Sequence, residues 1–247
     1  MLMRTALRAL AAAIVLAGAT PAAQAQTQTF VDFSSHYTQR LQDLAGGVYG
    51  AVPADGVFAT TGGIDFHVGL NSAPNGNNLW NANYDGQPDG GGTRTLDLTV
   101  SIANPTHVYT LVNTWWGAST PNIARVEFFG TGGAYLKREL IGGTHMRDWY
   151  NNIWTNTITD PNTVEVFTGQ NVRLDRMGVD LGAAFAGQTL TGIRFTDGGG
   201  WNQQRLMVSG ITVVSTSTVP EPGTVALLAT GLVAVGAGAW RRRRVTV

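Results

Sequence analysis

Thr95-Leu96-Asp97-Leu98-Thr99-Val100-Ser101-Ile102 alternates apolar and polar side chains without a break. Successive side chains on a strand point to opposite faces. Leu96, Leu98, Val100 and Ile102 therefore share one face, and Thr95, Asp97, Thr99 and Ser101 share the other. The pattern predicts a half-buried β-strand over 95–102, one face in a core and one in water. Asn104-Pro105 ends it.

Outward from this strand, further strand candidates recur at regular intervals: 108–115, 124–129, 135–140, 163–167, 171–175, 190–196 and 206–214, with 64–68 and 30–33 upstream. Turn residues separate them: Gly130-Thr131-Gly132-Gly133, Gly142-Gly143, Asp160-Pro161-Asn162 and Asp197-Gly198-Gly199-Gly200. Short strands so punctuated predict an all-β fold, a β-sandwich or jelly roll. Tyr37, Leu41 and Leu44, at i, i+4 and i+7, predict one short helix that Gly46-Gly47 stops.

The two ends have a different character. Arg4 and Arg8 precede the apolar run 10–17, and Ala23-Gln24-Ala25 has the small-x-small pattern of a signal peptidase site. Residues 1–25 are expected to be a signal peptide. The β-sandwich domain is then expected over 26–214, and the Ser/Thr stretch 215–219 as a linker. Residues 224–240 are apolar or small and uncharged. As a helix they would reach about 25 Å, close to the thickness of a hydrocarbon core. Trp240 suits the interface, and Arg241, Arg242, Arg243 and Arg244 would stay cytoplasmic. A transmembrane helix is therefore expected there, with the body outside the cytoplasm.

Formal charge over the whole chain is zero, but the ends carry six of its sixteen basic residues. Residues 26–218 hold ten basic and fifteen acidic residues, and Lys137 is the one lysine in the chain. That acidic balance argues against nucleic acid as a partner. With no cysteine, thiol catalysis, thiolate zinc sites and a disulfide framework are excluded.

Pro220-Glu221-Pro222, then a Gly/Ala-rich apolar run, then the arginine cluster, resembles the PEP-CTERM sorting signal of Gram-negative bacteria over 220–244. The resemblance implies an inner-membrane intermediate recognised by an exosortase, a transpeptidase-like membrane enzyme. Processing near Pro220, Glu221 and Pro222 would send the protein to the outer surface or extracellular matrix. Proline fixes its own φ and disfavours helix in the residue before it, which suits an extended recognition element at the membrane face.

The body gives a second resemblance. Val108-Tyr109-Thr110-Leu111-Val112-Asn113-Thr114-Trp115-Trp116-Gly117, Val126-Glu127-Phe128-Phe129-Gly130 and His145-Met146-Arg147-Asp148-Trp149 are similar to galactose-binding-like jelly rolls, which include carbohydrate-binding modules. The resemblance implies a jelly-roll body of the kind that carbohydrate-binding modules and surface proteins share, without fixing a ligand. Sugar C–H faces pack on aromatic rings while hydroxyl groups seek polar side chains. Trp149, Tyr150, Asn151, Asn152 and Trp154 combine both in one segment, as do Trp201 and Asn202, and these are the candidate ligand-binding residues. Packing at the sandwich ends is the alternative for each tryptophan. Trp115 and Trp116, being adjacent, would face opposite ways in an extended strand, one of them toward the core. Arg147-Asp148 reads as an internal ion pair or turn brace.

Asp85-Gly86-Gln87-Pro88-Asp89-Gly90 is either an oxygen-rich Ca2+ loop, with Asp85 and Asp89 as ligands, or an ordinary Gly/Pro turn. It departs from an EF-hand at Gln87 and at Leu96 in the twelfth position. No catalytic residues are predicted. The four histidines form no metal motif, and Glu127, Glu139 and Glu165 lie within ordinary strand alternation. The expectation is a non-catalytic exported surface or matrix protein that binds carbohydrate or exopolysaccharide. A structural or adhesive protein-protein module, or a small polysaccharide hydrolase, are the alternatives.

Overall fold

The alternation at 95–102 produces a strand buried on one face. In the computed structural model, β5 (Arg94–Ala103) buries Leu96 and Leu98 and half-buries Val100 and Ile102. Thr95, Asp97, Thr99 and Ser101 are exposed. The structure describes residues 25–45, 52–71, 76–82, 92–117, 119, 121–150, 157–199 and 205–217. Residues 1–24 of the expected signal peptide, the Asp85–Asp89 loop residues and the whole of 220–244 lie outside them, while the last residue of that peptide, Ala25, opens the first strand.

Twelve strands are described: β1 (Ala25–Phe30), β2 (Gly56–Ala59), β3 (Asp65–Val68), β4 (Trp80–Asn81), β5, β6 (Pro105–Trp115), β7 (Ala124–Gly130), β8 (Tyr135–Leu140), β9 (Thr163–Thr168), β10 (Arg173–Asp180), β11 (Thr189–Asp197) and β12 (Arg205–Ser217). The larger sheet runs β1-β12-β6-β10-β9, with β4 also on β12, and the smaller runs β5-β11-β7-β8. The two sheets form a sandwich-like body. Leu96, Val126, Phe128, Ile193 and Phe195 of the smaller sheet share one core with Val108, Val112, Met177, Val208, Ile211 and Val213 of the larger. Gln26–Thr216 forms one compact unit.

The larger sheet is covered on its outer face too. Leu111, Leu174 and Met207 pack there with Phe66 and Val68 of the β2–β3 hairpin, Leu79, Leu41 and Trp149. This explains why β12 reads as a nearly continuous apolar run. It is buried from Leu206 to Val214, as a strand covered on both faces should be. At Gly210 the layers nearly touch: an added Cβ would lie 3.2 Å from both Leu111 and Phe66 side-chain atoms. Thr212 Oγ1 donates to the Asp65 carbonyl at 2.6 Å and ties the hairpin to β12.

A bulge at Ser209 shifts the register of β12 on β6 between Val208 and Gly210. Even-numbered Leu206 and Val208 face the inter-sheet core before it, and odd-numbered Ile211 and Val213 after it. Inserting one residue exchanges the faces. β11 repeats the device, with Leu190 before and Ile193 after a shift at Thr191.

Several boundaries differ from expectation. β1 lies upstream of the predicted 30–33 strand, because Val31 and Phe33 turn into the core and Asp32 accepts the Ser34 N–H. β10 continues past 175, since Met177 and Val179 are also buried. The helix α1 (Leu41–Ala45) starts after Tyr37 rather than with it, because Thr38 and Gln39 donate to the Leu79 carbonyl. β12 continues to Ser217, so the first three residues of the expected linker are strand. Their polar side chains made them read as linker. Among the described residues, no helix is long and apolar enough to cross a membrane.

Candidate functional site

The described candidates gather at one end of the larger sheet. β6 ends at Trp115, which lies opposite Arg205 at the start of β12. The segment carrying Arg147 to Tyr150 joins the sheet here. Thr114 N–H donates to the Arg147 carbonyl at 3.1 Å, and Trp149 N–H donates to the Thr114 carbonyl at 2.9 Å. Arg173 N–H in turn donates to the Trp149 carbonyl at 3.0 Å. The segment is thereby stitched to both β6 and β10.

Trp149 is 7% exposed and belongs to the outer-face core. Its ring lies 6.3 Å from Trp115 and 5.8 Å from the half-buried Tyr150. Of the two adjacent tryptophans, Trp115 packs against the outer-face core. Both are half-buried, and the Arg205 guanidinium sits 5.2 Å from each ring centroid, within cation–π range. The extended-strand expectation fails because Trp116 has φ +62°. Such a conformation is unusual for a bulky residue and persists only where its surroundings enforce it. Asp148 Oδ2 does so, accepting the Trp116 N–H at 3.0 Å.

Asp148 is the brace of this end. Its Oδ1 accepts the Tyr150 N–H at 2.9 Å. It is 2% exposed, and burial pushes its carboxyl up to about 6. Those two N–H donors and the nearby Arg173 charge pull the other way without overcoming the lost hydration. Asp197 at the end of β11 is built alike. It accepts the Gly199 N–H at 2.8 Å and the Leu206 N–H at 2.5 Å, and burial pushes it up to about 6.

Arg147 and Asp148 are not an ion pair with each other. Arg147 Nε and Nη2 donate to Asp175 at 2.9 and 2.7 Å, and Nη2 reaches Glu165 at 2.5 Å. Asn113 closes the network, donating to Asp175 Oδ2 at 2.9 Å and accepting the Asp175 N–H at 3.1 Å. Arg173 Nε donates to the Asp148 carbonyl at 2.7 Å. The partners shift in senses that do not mirror each other. Burial opposes the Arg147 charge, yet Asp175 and Glu165 hold its pKa above the usual value. Asp175 is raised, because full burial costs its carboxylate more hydration than Arg147 returns. The bidentate contact fixes Arg147 as a guanidinium throughout.

Asn151, Asn152, Trp154, Trp201 and Asn202 lie outside the described residues. Both segments that carry them start or end here: 151–154 follows Tyr150, and 201–202 lies between Asp197 and Arg205. Asp85 and Asp89 also lie outside. Among the described residues, no three metal-ligating side chains cluster. Sequence reading missed Arg205, Arg173 and Asp175. Arg205 had a usable signal, a lone arginine opening an apolar strand, but its contact with Trp115 depends on the β6–β12 register.

The chain thus has an all-β sandwich with an aromatic and charged cluster at one sheet end. Residues 218–244 match the PEP-CTERM protein-sorting motif. That match supports sorting to the exterior by way of an exosortase, through a membrane-associated intermediate. No curated protein matches the chain.

Proposed function

We propose that the protein is a non-catalytic carbohydrate-binding component of the cell surface or extracellular matrix, displayed by its sorting tail. The observation that carries this is Trp116. A half-buried indole held at φ +62° by a buried carboxylate is a costly arrangement that packing alone does not require. Beside it stand Trp115, Arg205 and Tyr150, the mixture of rings and donors that sugar recognition uses. The loop residues Asn151, Asn152, Trp154, Trp201 and Asn202 extend the same site in this reading. The jelly-roll resemblance of the body agrees with it.

Within the same reading, signal peptidase removes residues 1–25. The apolar helix 224–240 holds the precursor in the inner membrane, and the exosortase processes it near Pro220, Glu221 and Pro222. Ca2+ at Asp85 and Asp89 would stabilise a loop of the body. The non-catalytic assignment is supported by the engagement of Glu127 with Arg125, Glu139 with Lys137 and Glu165 with Arg147.

The test uses residues 26–218 on the producer's own exopolysaccharide and on a glycan array, with and without Ca2+. Binding that falls about tenfold or more in Trp116→Ala, with unchanged unfolding, is expected for a stacking contact. No binding under either condition would end the carbohydrate reading. Concentration-dependent self-association without glycan affinity would favour an adhesive module instead.

A further inference from the structure

The sorting motif begins immediately after the last described residue of β12, Ser217. Val31 N–H donates to the Ile211 carbonyl at 3.0 Å. β4 occupies Met207 and Val208 on the same side of β12, so β1 lies beyond Ile211 and runs antiparallel to β12. Continuing that register residue by residue opposes Gln26 to Thr216 and Ala25 to Ser217. Those last two are the outermost described residues of the two strands. On its other side, this stretch of β12 is held by Ser215 opposite Pro105 and by Thr216 N–H on the Asn104 carbonyl at 3.1 Å.

Only Thr218 and Val219 separate Ser217 from Pro220. Even fully extended, three residue steps cover only about 10 Å. That is roughly the thickness of one packed sheet layer. An enzyme that closes around Pro220-Glu221-Pro222 would meet the sheet end before it could enclose the residues preceding the signal. The strand ends offer a way out. Residues 25–28 are exposed, and 215–217 are half-buried. Among the described residues, firm side-chain ties begin at Gln28, whose amide donates to the Gly63 carbonyl at 2.8 Å and accepts the Asp65 N–H at 2.9 Å. Phe30 follows, with its ring 5.9 Å from His67.

We propose that the terminal β1–β12 ribbon is a latch on processing. Gln26 and Thr27 part from 215–217, Ser215 and Thr216 also leave Pro105 and Asn104, Gln28 marks where the opening stops, and the freed β12 residues supply the extended chain that the exosortase needs. This rests on the sorting reading of 218–244. Opening of exposed strand ends costs far less than global unfolding, so the step is accessible to a folded protein.

The full-length protein lends itself to a direct test, because it has no cysteine of its own. Gln26→Cys/Thr216→Cys places two thiols at a non-hydrogen-bonded antiparallel pair, where Cα atoms lie about 4.5 Å apart, within disulfide range. Conversion of tailed precursor to processed form is followed by pulse-chase in the producing cell. The oxidised protein is expected to be processed about tenfold or more slowly, because the open state is removed. Reduction should restore the rate. A six-residue Gly/Ser insertion after Thr218 should restore it in the locked protein and speed it in the unlocked one. Wild-type processing of the locked protein overturns the proposal, as does a stall that the insertion leaves unchanged. If the disulfide does not form, absence of any acceleration by the insertion alone overturns it. Replacing Pro220, Glu221 and Pro222 by alanine tests the sorting reading separately: normal processing of that variant would refute the signal itself.

Discussion

Arg147 reaches past its chain neighbour Asp148 to grip Asp175, 28 residues further on, through two hydrogen bonds of 2.9 and 2.7 Å. Asp175 is fully buried, so the contact fastens the Arg147–Tyr150 segment to β10 at a site shielded from water. Removing one partner of such a pair leaves an uncompensated buried charge. Arg147→Met is expected to lower stability by about 3–5 kcal/mol, measured by urea unfolding. Asp175→Asn in the same chain should recover a large part of that loss.

Asp148 and Asp197 give a pH signature with an unusual sign. Their folded-state carboxyls titrate near 6, above the usual 3.8, so the folded protein holds these protons more tightly than the unfolded chain. Their contribution is complete below about pH 4 and is lost as pH rises through 6. Asp160 and Glu165 are held below their usual values and act in the opposite sense, their contribution being lost as pH falls. His145, lowered chiefly by burial, adds stability as pH rises through its usual range near 6.5. The clean measurement is therefore a difference. Between pH 5 and 7 wild type should lose about 1–3 kcal/mol relative to Asp148→Asn, and similarly relative to Asp197→Asn. Carboxyl carbon shifts in NMR should give midpoints near 6 for both.

The two tryptophans at the sheet end should separate display from packing. Trp149→Ala removes a ring from the outer-face core and is expected to cost about 3–5 kcal/mol. Trp116→Gly relieves a left-handed backbone at a half-buried position and should change stability by less than about 1 kcal/mol. Calorimetry on both variants reads the contrast directly.

At Gly210 the hairpin layer and β12 leave no room for a methyl group. Gly210→Ala must displace Phe66 or Leu111 by a few tenths of an ångström. A loss of about 1–3 kcal/mol is expected in denaturant unfolding. Gly192→Ala, another strand glycine without a positive φ, whose added Cβ would meet its neighbours at ordinary contact distances of 3.5 Å and more, should not show the same steric loss and serves as the control.

Much of the sandwich was legible because strand burial writes itself into alternation, as in β5 and β8, where predicted and observed limits nearly or fully coincide. β12 was recognised as a strand, but its bulge was not. Leu206 and Val208 lie out of step with Ile211 and Val213, and only pairing with β6 shows that Ser209 absorbs the offset. β4 escaped notice because a two-residue strand carries no detectable period, and β2 because Gly56-Val57-Phe58-Ala59 shows no polar alternation. At the sheet end, the sequence pointed to the Trp149 segment through its composition. It did not reveal that Trp149 is mostly buried, or that Arg205 stands against Trp115 and Trp116. Those facts come from register and layer packing, which no local pattern encodes.

β12 runs thirteen residues, from Arg205 beside the aromatic cluster to Ser217 where the tail departs. At strand rise that is about 40 Å of continuous chain. β6 flanks it on one side, and β4 and β1 on the other. A pull on the tail, resisted by something held at the aromatic end, would load these ladders in shear. Their hydrogen bonds would share the force rather than break one after another. The strand that threads the centre of the fold is thus also placed to serve as its tension member.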